Sequence, residues 1–314
     1  KKRFSINSPE ANIYFVKYKK YRKTIPPIFE KQTNNIAIIY AYGDVNQGKG
    51  SSLSIGSETL VKAINKATKD KSIKAIVLRV NSPGGDAIAS ELITNEVIKA
   101  RKVKPVIVSM GDVAASAGYE MSSNATMIVA SPITITGSIG VFGIMPNLSR
   151  TLKKNVGLTF DTVKTNDNAI ISLTTPLSSQ TKHVLQMNVE NFYDNFITKV
   201  AQGRKLDKTF VDSIARGRVW SAIDAKEIGL VDEFGGLNKA ISLAAQKAGI
   251  EQYGLIAYPK QKDIFTQLLE TINEDSDLQE FTHKQDVFKQ FTKKLEKLSQ
   301  TQTVQARIPY IINF

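Results

Sequence analysis

Ala75-Ile76-Val77-Leu78-Arg79-Val80 runs directly into Asn81-Ser82-Pro83-Gly84-Gly85, and this stretch decides the fold. A short apolar run closed by turn residues reads as a strand buried on both faces, as in a parallel sheet. Pro-Gly-Gly ends it and opens a helix carrying Leu92, Ile93, Val97 and Ile98 at helical spacing. The same unit repeats outward in both directions. Upstream, Ile36-Ala37-Ile38-Ile39-Tyr40-Ala41-Tyr42 is a strand closed by Gly43-Asp44 and followed by a helix with Leu60, Ile64 and Ala67. Downstream, Pro105–Met110 and Met127–Ala130 are the third and fourth strands. Strands alternating with helices predict an α/β fold with a largely parallel sheet and right-handed crossovers.

Beyond the fourth strand, a long helix is expected from Ser178 to about Gly203, then shorter ones near 207–216, 221–228 and 237–248. Trp220 reads as a core anchor at a helix entrance. Residues 1–33 hold Pro9, Pro26 and Pro27 without periodicity and are expected to form an extended arm or linker. The expected organisation is therefore an arm over 1–33, one domain over 34–250 and a helical tail over 251–314. The tail's sparse apolar stripe (Phe265, Leu268, Leu269, Ile272, then Val287, Phe288, Phe291, Leu295) suits packing on a neighbouring subunit.

Composition narrows the function. The chain has 314 residues, 42% of them hydrophobic and 23% charged, which is a globular composition. Its net charge of +13 invites a nucleic-acid or acidic-membrane reading. No recognised nucleic-acid motif supports the first, and the basic residues cluster at the ends, so no nucleic-acid partner is expected. Attraction to an acidic leaflet suits a peripheral membrane enzyme. There is no Cys, which excludes disulfides, a thiolate nucleophile and cysteine metal sites; neither metal nor cofactor is expected. No apolar run reaches the ~18 residues of a spanning helix, so membrane attachment is expected through segments outside this chain. The start, Lys1-Lys2-Arg3, without Met or an apolar leader, suggests a processed chain or part of a longer one.

Three segments carry chemistry. Asn81–Gly85 leaves backbone N–H groups free before a helix, and its glycines let a ligand approach the main chain, a cradle for a phosphate or an oxyanion. No Gly-Lys-Ser/Thr follows, so it is not a phosphate-binding P-loop. Met110-Gly111-Asp112-Val113-Ala114-Ala115-Ser116-Ala117-Gly118-Tyr119 follows the third strand and sets one serine among tiny residues at the expected start of a helix. Packing of small residues is the bland alternative. Ser131–Val141 alternates β-branched residues with glycines and hydroxyls, as in a loop or edge strand lining a groove that could pair with a peptide.

In this order, Ser-Pro-Gly-Gly, Gly-Asp-Val-Ala-Ala-Ser-Ala-Gly-Tyr and Thr-Gly-Ser-Ile-Gly-Val resemble the signal peptide peptidase A family, also called protease IV. Arg216–Ser221 with Ala225–Asp232 looks like a further family block. The resemblance covers about Asn35 to Gly249. It implies the Clp-protease/crotonase-like fold, a Ser-Lys endopeptidase of signal-peptide remnants and other unfolded peptides, homo-oligomers, and a place at the extracytoplasmic face of the bacterial cytoplasmic membrane. Ser116 matches the nucleophile, the amides of Gly85 and Ala117 the oxyanion hole, and Gly84 the turn that shapes it. Ala169 stands where single-length relatives carry the general-base lysine; Lys164 matches an accompanying lysine. Double-length relatives place the lysine in the first half and the serine in the second. This chain therefore looks like a second half, inactive alone and dependent on an N-terminal half or neighbouring subunit for its lysine.

Neither histidine offers a replacement base: His183 lies at the polar start of the long helix and His283 in the acidic tail. Two other readings stay open. One is a crotonase-type acyl-CoA hydratase or thioesterase, which needs acidic residues where this chain has Ser116 and which a CoA titration would test. The other is a non-catalytic peptide-binding domain, which fluorophosphonate labelling of the complete protein would test.

Overall fold

The computed structural model describes residues 33–51, 53–166 and 172–258, together with the backbone of 305–307. The expected N-terminal arm, the position of Ala169 and most of the C-terminal tail lie outside the described residues.

The main sheet forms around β1 (Asn35–Tyr42), β5 (Ile73–Ser82) and β7 (Val106–Ala115), which pair in parallel. α1 (Ser57–Lys69) and α2 (Ala87–Val103) fall between them in sequence. Both faces of these strands are covered, which is why their sequences read as continuous apolar runs. Ala37, Ile39, Ala41, Ile76, Leu78 and Val80 belong to the core shared with α1 and α2. Ile36, Ile38, Ala75 and Val77 belong to the opposite core, against Ala240, Ile241, Ala244 and Ala245 of a helix further along the chain. Fully burying an Ile or Leu side chain contributes roughly 1.5–3 kcal/mol, so these two layers dominate the stability of the domain.

β7 is the long member. Its first half pairs with β8 (Met127–Ala130) and its second half with β9 (Ile135–Gly137). The register against β5 moves from Val80↔Met110 to Ser82↔Ala114, so β7 bulges at Gly111–Val113. The Asn81 side chain holds the bulge, its Oδ1 accepting from the Val113 amide at 3.0 Å. A Cβ on Gly111 would meet the same oxygen at 2.6 Å.

α3 (Ala117–Ser123) follows β7, and α4 (Ser179–Arg204) is the long helix, N-capped by the Ser178 hydroxyl. Then come α5 (Lys208–Ile214), β10 (Val219–Ser221), α6 (Ala222–Glu227), β11 (Glu233–Phe234) and α7 (Leu237–Ala248), the helix of the second core. Sheet order is β10-β9-β7-β5-β1-β12, with β8 beside β7 and β11 beside β8. β12 (Gly254–Tyr258) lies within the stretch expected as a helical tail. It is a strand because β1 leaves an edge open, and it takes that edge in parallel register, Ile36↔Leu255 through Ile39↔Tyr258. The sheet thus runs past 250.

A second, smaller sheet lies at one end of the first. It comprises β2 (Asp44–Asn46), β3 (Gly50–Ser51), β4 (Ser54–Gly56), β6 (Gly84–Asp86) and β13 (Gln305–Arg307), in the order β13-β6-β2-β4-β3. These strands are two or three residues long, too short to show a period in sequence. Part of the tail is therefore strand rather than helix at 305–307 as well. Among the described residues, no helix is long and apolar enough to cross a membrane.

Candidate active site

Ser116 stands between β7 and α3 with φ 54° and ψ −118°. A non-glycine residue rarely adopts such a backbone, and it costs of order 1–3 kcal/mol unless its surroundings enforce it. They do. The Ser116 amide donates to the Gly137 carbonyl at 2.8 Å and its carbonyl accepts from the Glu120 amide at 2.8 Å. Both ends of the residue are fixed, and the hydroxyl does not cap the helix. Among the described residues the Ser116 Oγ is buried without a hydrogen-bond partner, an arrangement that costs free energy unless the group has other work.

The third strand, expected to end at Met110, continues through alanines 114 and 115. They remain in β7, paired with Thr136 and Gly137, and the Thr136 hydroxyl donates to the Ala114 carbonyl at 2.7 Å. The helix starts only at Ala117. Its amide is a first-turn donor with no acceptor inside the helix. Gly118 packs directly on the Pro-Gly-Gly turn: a Cβ there would lie 2.8 Å from the Ser82 carbonyl oxygen. The Ser82 hydroxyl accepts from the Gly84 amide at 3.2 Å. Gly84 has φ 117°. Gly85 has φ +153°, and a Cβ on it would come 2.1 Å from the Val45 oxygen. Only glycine fits there. Asp86 then caps α2, accepting from the Ala89 amide at 2.8 Å. Gly84, Gly85, Ser116 and Ala117 are thus drawn to one end of the sheet.

Ile135–Gly137 differs from the expected groove edge. β9 has β7 on one side and β10 on the other, with Trp220 opposite Thr136, so neither edge is open to a peptide. Ser138 continues with φ 49°, its amide donating to the Arg218 carbonyl at 2.7 Å, and the Gly217 amide donates to the Ile139 carbonyl at 2.8 Å. The Arg216–Ser221 block is therefore the outer wall of the segment that holds Ser116.

This packing joins all the motif segments in one place, and comparison with known proteins agrees with it. The sequence profile of peptidase family S49 matches residues 98–251. A Methanocaldococcus jannaschii protein carrying a protease name is 34% identical over 220 residues, 69% of this chain and 70% of that protein. The chain belongs to peptidase family S49. Protease 4 of Salmonella typhi is 39% identical over 272 residues, covering 86% of this chain and 43% of that protein. Protease 4 of Haemophilus influenzae is 42% identical over 240 residues, 76% of this chain and 38% of that protein. The chain thus spans about two fifths of the length of these two S49 relatives.

Of the described lysines of this S49 chain, Lys153, Lys154, Lys164 and Lys182 are exposed. Lys104 is half-buried, and burial pushes its ammonium below the usual lysine range, but its Nζ donates to the Ala67 and Asp70 carbonyls, at the end of α1. Lys199 is the other notable case: its side chain is 14% exposed, and its Nζ lies 3.1 Å from Glu91 and 3.6 Å from Glu120. No lysine of the chain has a sequence setting that announces burial, so these two correct that reading. Lys199 is ion-paired with these two carboxylates. Burial pushes the Glu120 carboxyl above the usual range, against the opposing pull of Lys199 and the Ser90 hydroxyl. The Ser90 Oγ lies 2.6 Å from Glu120 and 3.3 Å from the Ala117 carbonyl, so this network braces the first turn of α3 from behind. Nearby, burial raises the Tyr119 phenol, whose hydroxyl donates to the Leu230 carbonyl at 3.0 Å. His183 is exposed on α4; His283 lies outside the described residues.

Proposed function

We propose that this chain is the serine-bearing half-site of an endopeptidase that cleaves signal-peptide remnants and other unfolded peptides in extended form. The single observation that carries the reading is Ser116: a buried hydroxyl without a partner among the described residues, on a strained turn whose amide is held by the Gly137 carbonyl of another motif segment. In this reading the Ser116 Oγ attacks the scissile carbonyl. The amides of Gly85 and Ala117 receive the developing oxyanion, with Gly84 shaping the turn that presents one of them. Small residues around Ser116 leave room for modest aliphatic side chains near the cut.

Serine needs a base within hydrogen-bond reach. The family mechanism supplies a neutral lysine, whose pKa must fall from roughly 10.4 toward about 7, a cost of about 4.6 kcal/mol that burial in an apolar pocket can impose. Ala169 stands at the matching position, so the lysine would come from an N-terminal half or a neighbouring subunit, in a homo-oligomer. The substrate class, together with the name signal peptide peptidase borne by an Enterococcus faecium relative, supports a site at the outer face of the bacterial cytoplasmic membrane. The acyl-CoA alternative has no comparable support, since the relatives carry protease names.

Fluorophosphonate labelling of the complete assembly tests this. Ser116 should label, labelling should rise with pH as the partner lysine loses its proton, and the isolated chain should label negligibly. A normal rate in the isolated chain would overturn the half-site reading.

A further inference from the structure

The two amides assigned above to the oxyanion lead directly into two helices. Gly85 stands just before Asp86, the cap of α2, and Ala117 is the first residue of α3. The spacing of the two amides therefore depends on how α2 and α3 are joined. Just inside both helix starts they share one buried polar cluster. The Ser90 hydroxyl of α2 lies 2.6 Å from the Glu120 carboxylate of α3 and 3.3 Å from the Ala117 carbonyl. Lys199 of α4 pairs with Glu120 at 3.6 Å and with Glu91 of α2 at 3.1 Å, so one ammonium spans the two helices. Among the described residues its buried Nζ has no other polar partner.

Lys199 holds the far end of α3 too. Its carbonyl accepts from the side-chain amide of Asn124, the residue that closes α3, at 3.1 Å. α4 is pressed against that end: a Cβ on Gly203 would lie 2.4 Å from the Ser123 carbonyl oxygen. Glu120 reaches the nucleophile turn directly, its own amide donating to the Ser116 carbonyl at 2.8 Å. That carbonyl and the Ala117 N–H belong to one peptide unit, so a bond to the first polarises the second. Charges taken out of water are a poor source of stability, which directs attention to the geometry this cluster fixes.

We infer that Glu120 and Lys199 are positioning residues for the peptidase reaction: through Ser90 and Glu91 they fix the spacing of α2 and α3, and with it the aim of the Gly85 and Ala117 amides at one oxyanion. Neither side chain touches the substrate in this scheme, and the inference rests on the peptidase reading. Misplacing a catalytic group by about 1 Å can lower the rate about 100-fold. Donors that act on the developing oxyanion work in the transition state, so their misplacement lowers kcat and leaves KM in place.

The test uses the complete assembly. Exhaustive fluorophosphonate labelling counts competent Ser116 sites, and hydrolysis of an unfolded protein substrate gives kcat per site and KM. Lys199→Met should lower kcat per site about 10- to 100-fold with KM changed less than about twofold. Lys199→Arg, which keeps the charge, should recover most of the loss. If the methionine variant does not fold, Ser90→Ala carries the test: it removes only the hydroxyl between α2 and α3 and should lower kcat per site about tenfold. Unchanged kcat per site, a loss confined to KM, or equal losses with methionine and arginine overturns the inference. The two readings fail separately: an unaltered assembly whose Ser116 does not label sinks the peptidase reading, whereas labelling with unaltered kcat in the variants sinks the positioning pair alone.

Discussion

Two consecutive stretches of the chain, Thr134–Gly140 and residues 141–166, treat their apolar residues in opposite ways. In the first, Thr134, Thr136, Ser138 and Ile139 are buried, and β7 and β10 clamp the strand from both sides. In the second, Ile144, Leu148, Val156, Leu158, Phe160 and Val163 are exposed, Val163 completely. A bond from the Leu148 amide to the Leu173 carbonyl ties the excursion back. The first stretch is finished by contacts within the chain. The second has the composition of a buried surface without such neighbours among the described residues, as the half-site proposed above would require.

The largest expected effect tests the finished side. Ser116→Ala should lower turnover of the complete assembly by about 10⁴-fold or more. It should change stability by less than about 1 kcal/mol, because the hydroxyl it removes has no partner among the described residues. Peptide hydrolysis and denaturant melts of the same preparation check both, and ordinary turnover in the variant would sink the assignment.

A glycine pair sharpens the contrast. Gly85→Ala drives a Cβ to 2.1 Å from the Val45 oxygen, whereas a Cβ on Gly157, also at positive φ (+73°), would meet nothing within 4 Å. The first change should cost about 3 kcal/mol or more, the second only the ~1–2 kcal/mol of a left-handed alanine. Equal costs by urea titration would show that the serine side, at Gly85, is no more tightly packed than the open stretch around Gly157.

A pH series probes the brace behind α3. Because burial raises the Glu120 carboxyl, the folded state holds that proton more tightly than the unfolded chain does. Its contribution to stability is therefore greatest at acid pH and is lost as pH rises from the ordinary carboxylate range through the raised value. Glu120→Gln should flatten that part of the stability-against-pH curve, read by thermal melts; an unchanged slope would remove Glu120 as its source. The smallest effect belongs to the open side. Phe160→Ser or Val163→Ser should move the isolated chain's stability within about 0.5 kcal/mol, yet weaken assembly of the complete protein by size-exclusion chromatography.

Much of this architecture was legible because long elements repeat their pattern. β1, β5, α2 and α7 fall where the apolar periods put them, since both faces of the central strands are covered. Ser116 stood out through its tiny neighbours. What escaped was set by partners distant in sequence. Ala114 and Ala115 look helical alone and are strand because Thr136 and Gly137 pair with them. Lys199 stands three residues after Phe196 and one before Val200, both buried. That position puts it beside the apolar stripe, but only Glu91 and Glu120 explain a charge there. The small sheet is assembled from fragments too short to announce themselves.

Trp220 is the only tryptophan in the chain. Its indole N–H donates to the Ile214 carbonyl at 3.1 Å, and its ring lies where a Cβ on Gly137 would come within 2.6 Å. Gly137 in turn holds the Ser116 amide. The molecule therefore has a single indole fluorophore, lodged on the back wall of the turn that carries its serine. Its emission is a label-free gauge of that turn. A peptide reaching Ser116, or a second half closing over the open stretch, should alter colour or quenching at one known address, with no other indole in this chain to dilute the signal.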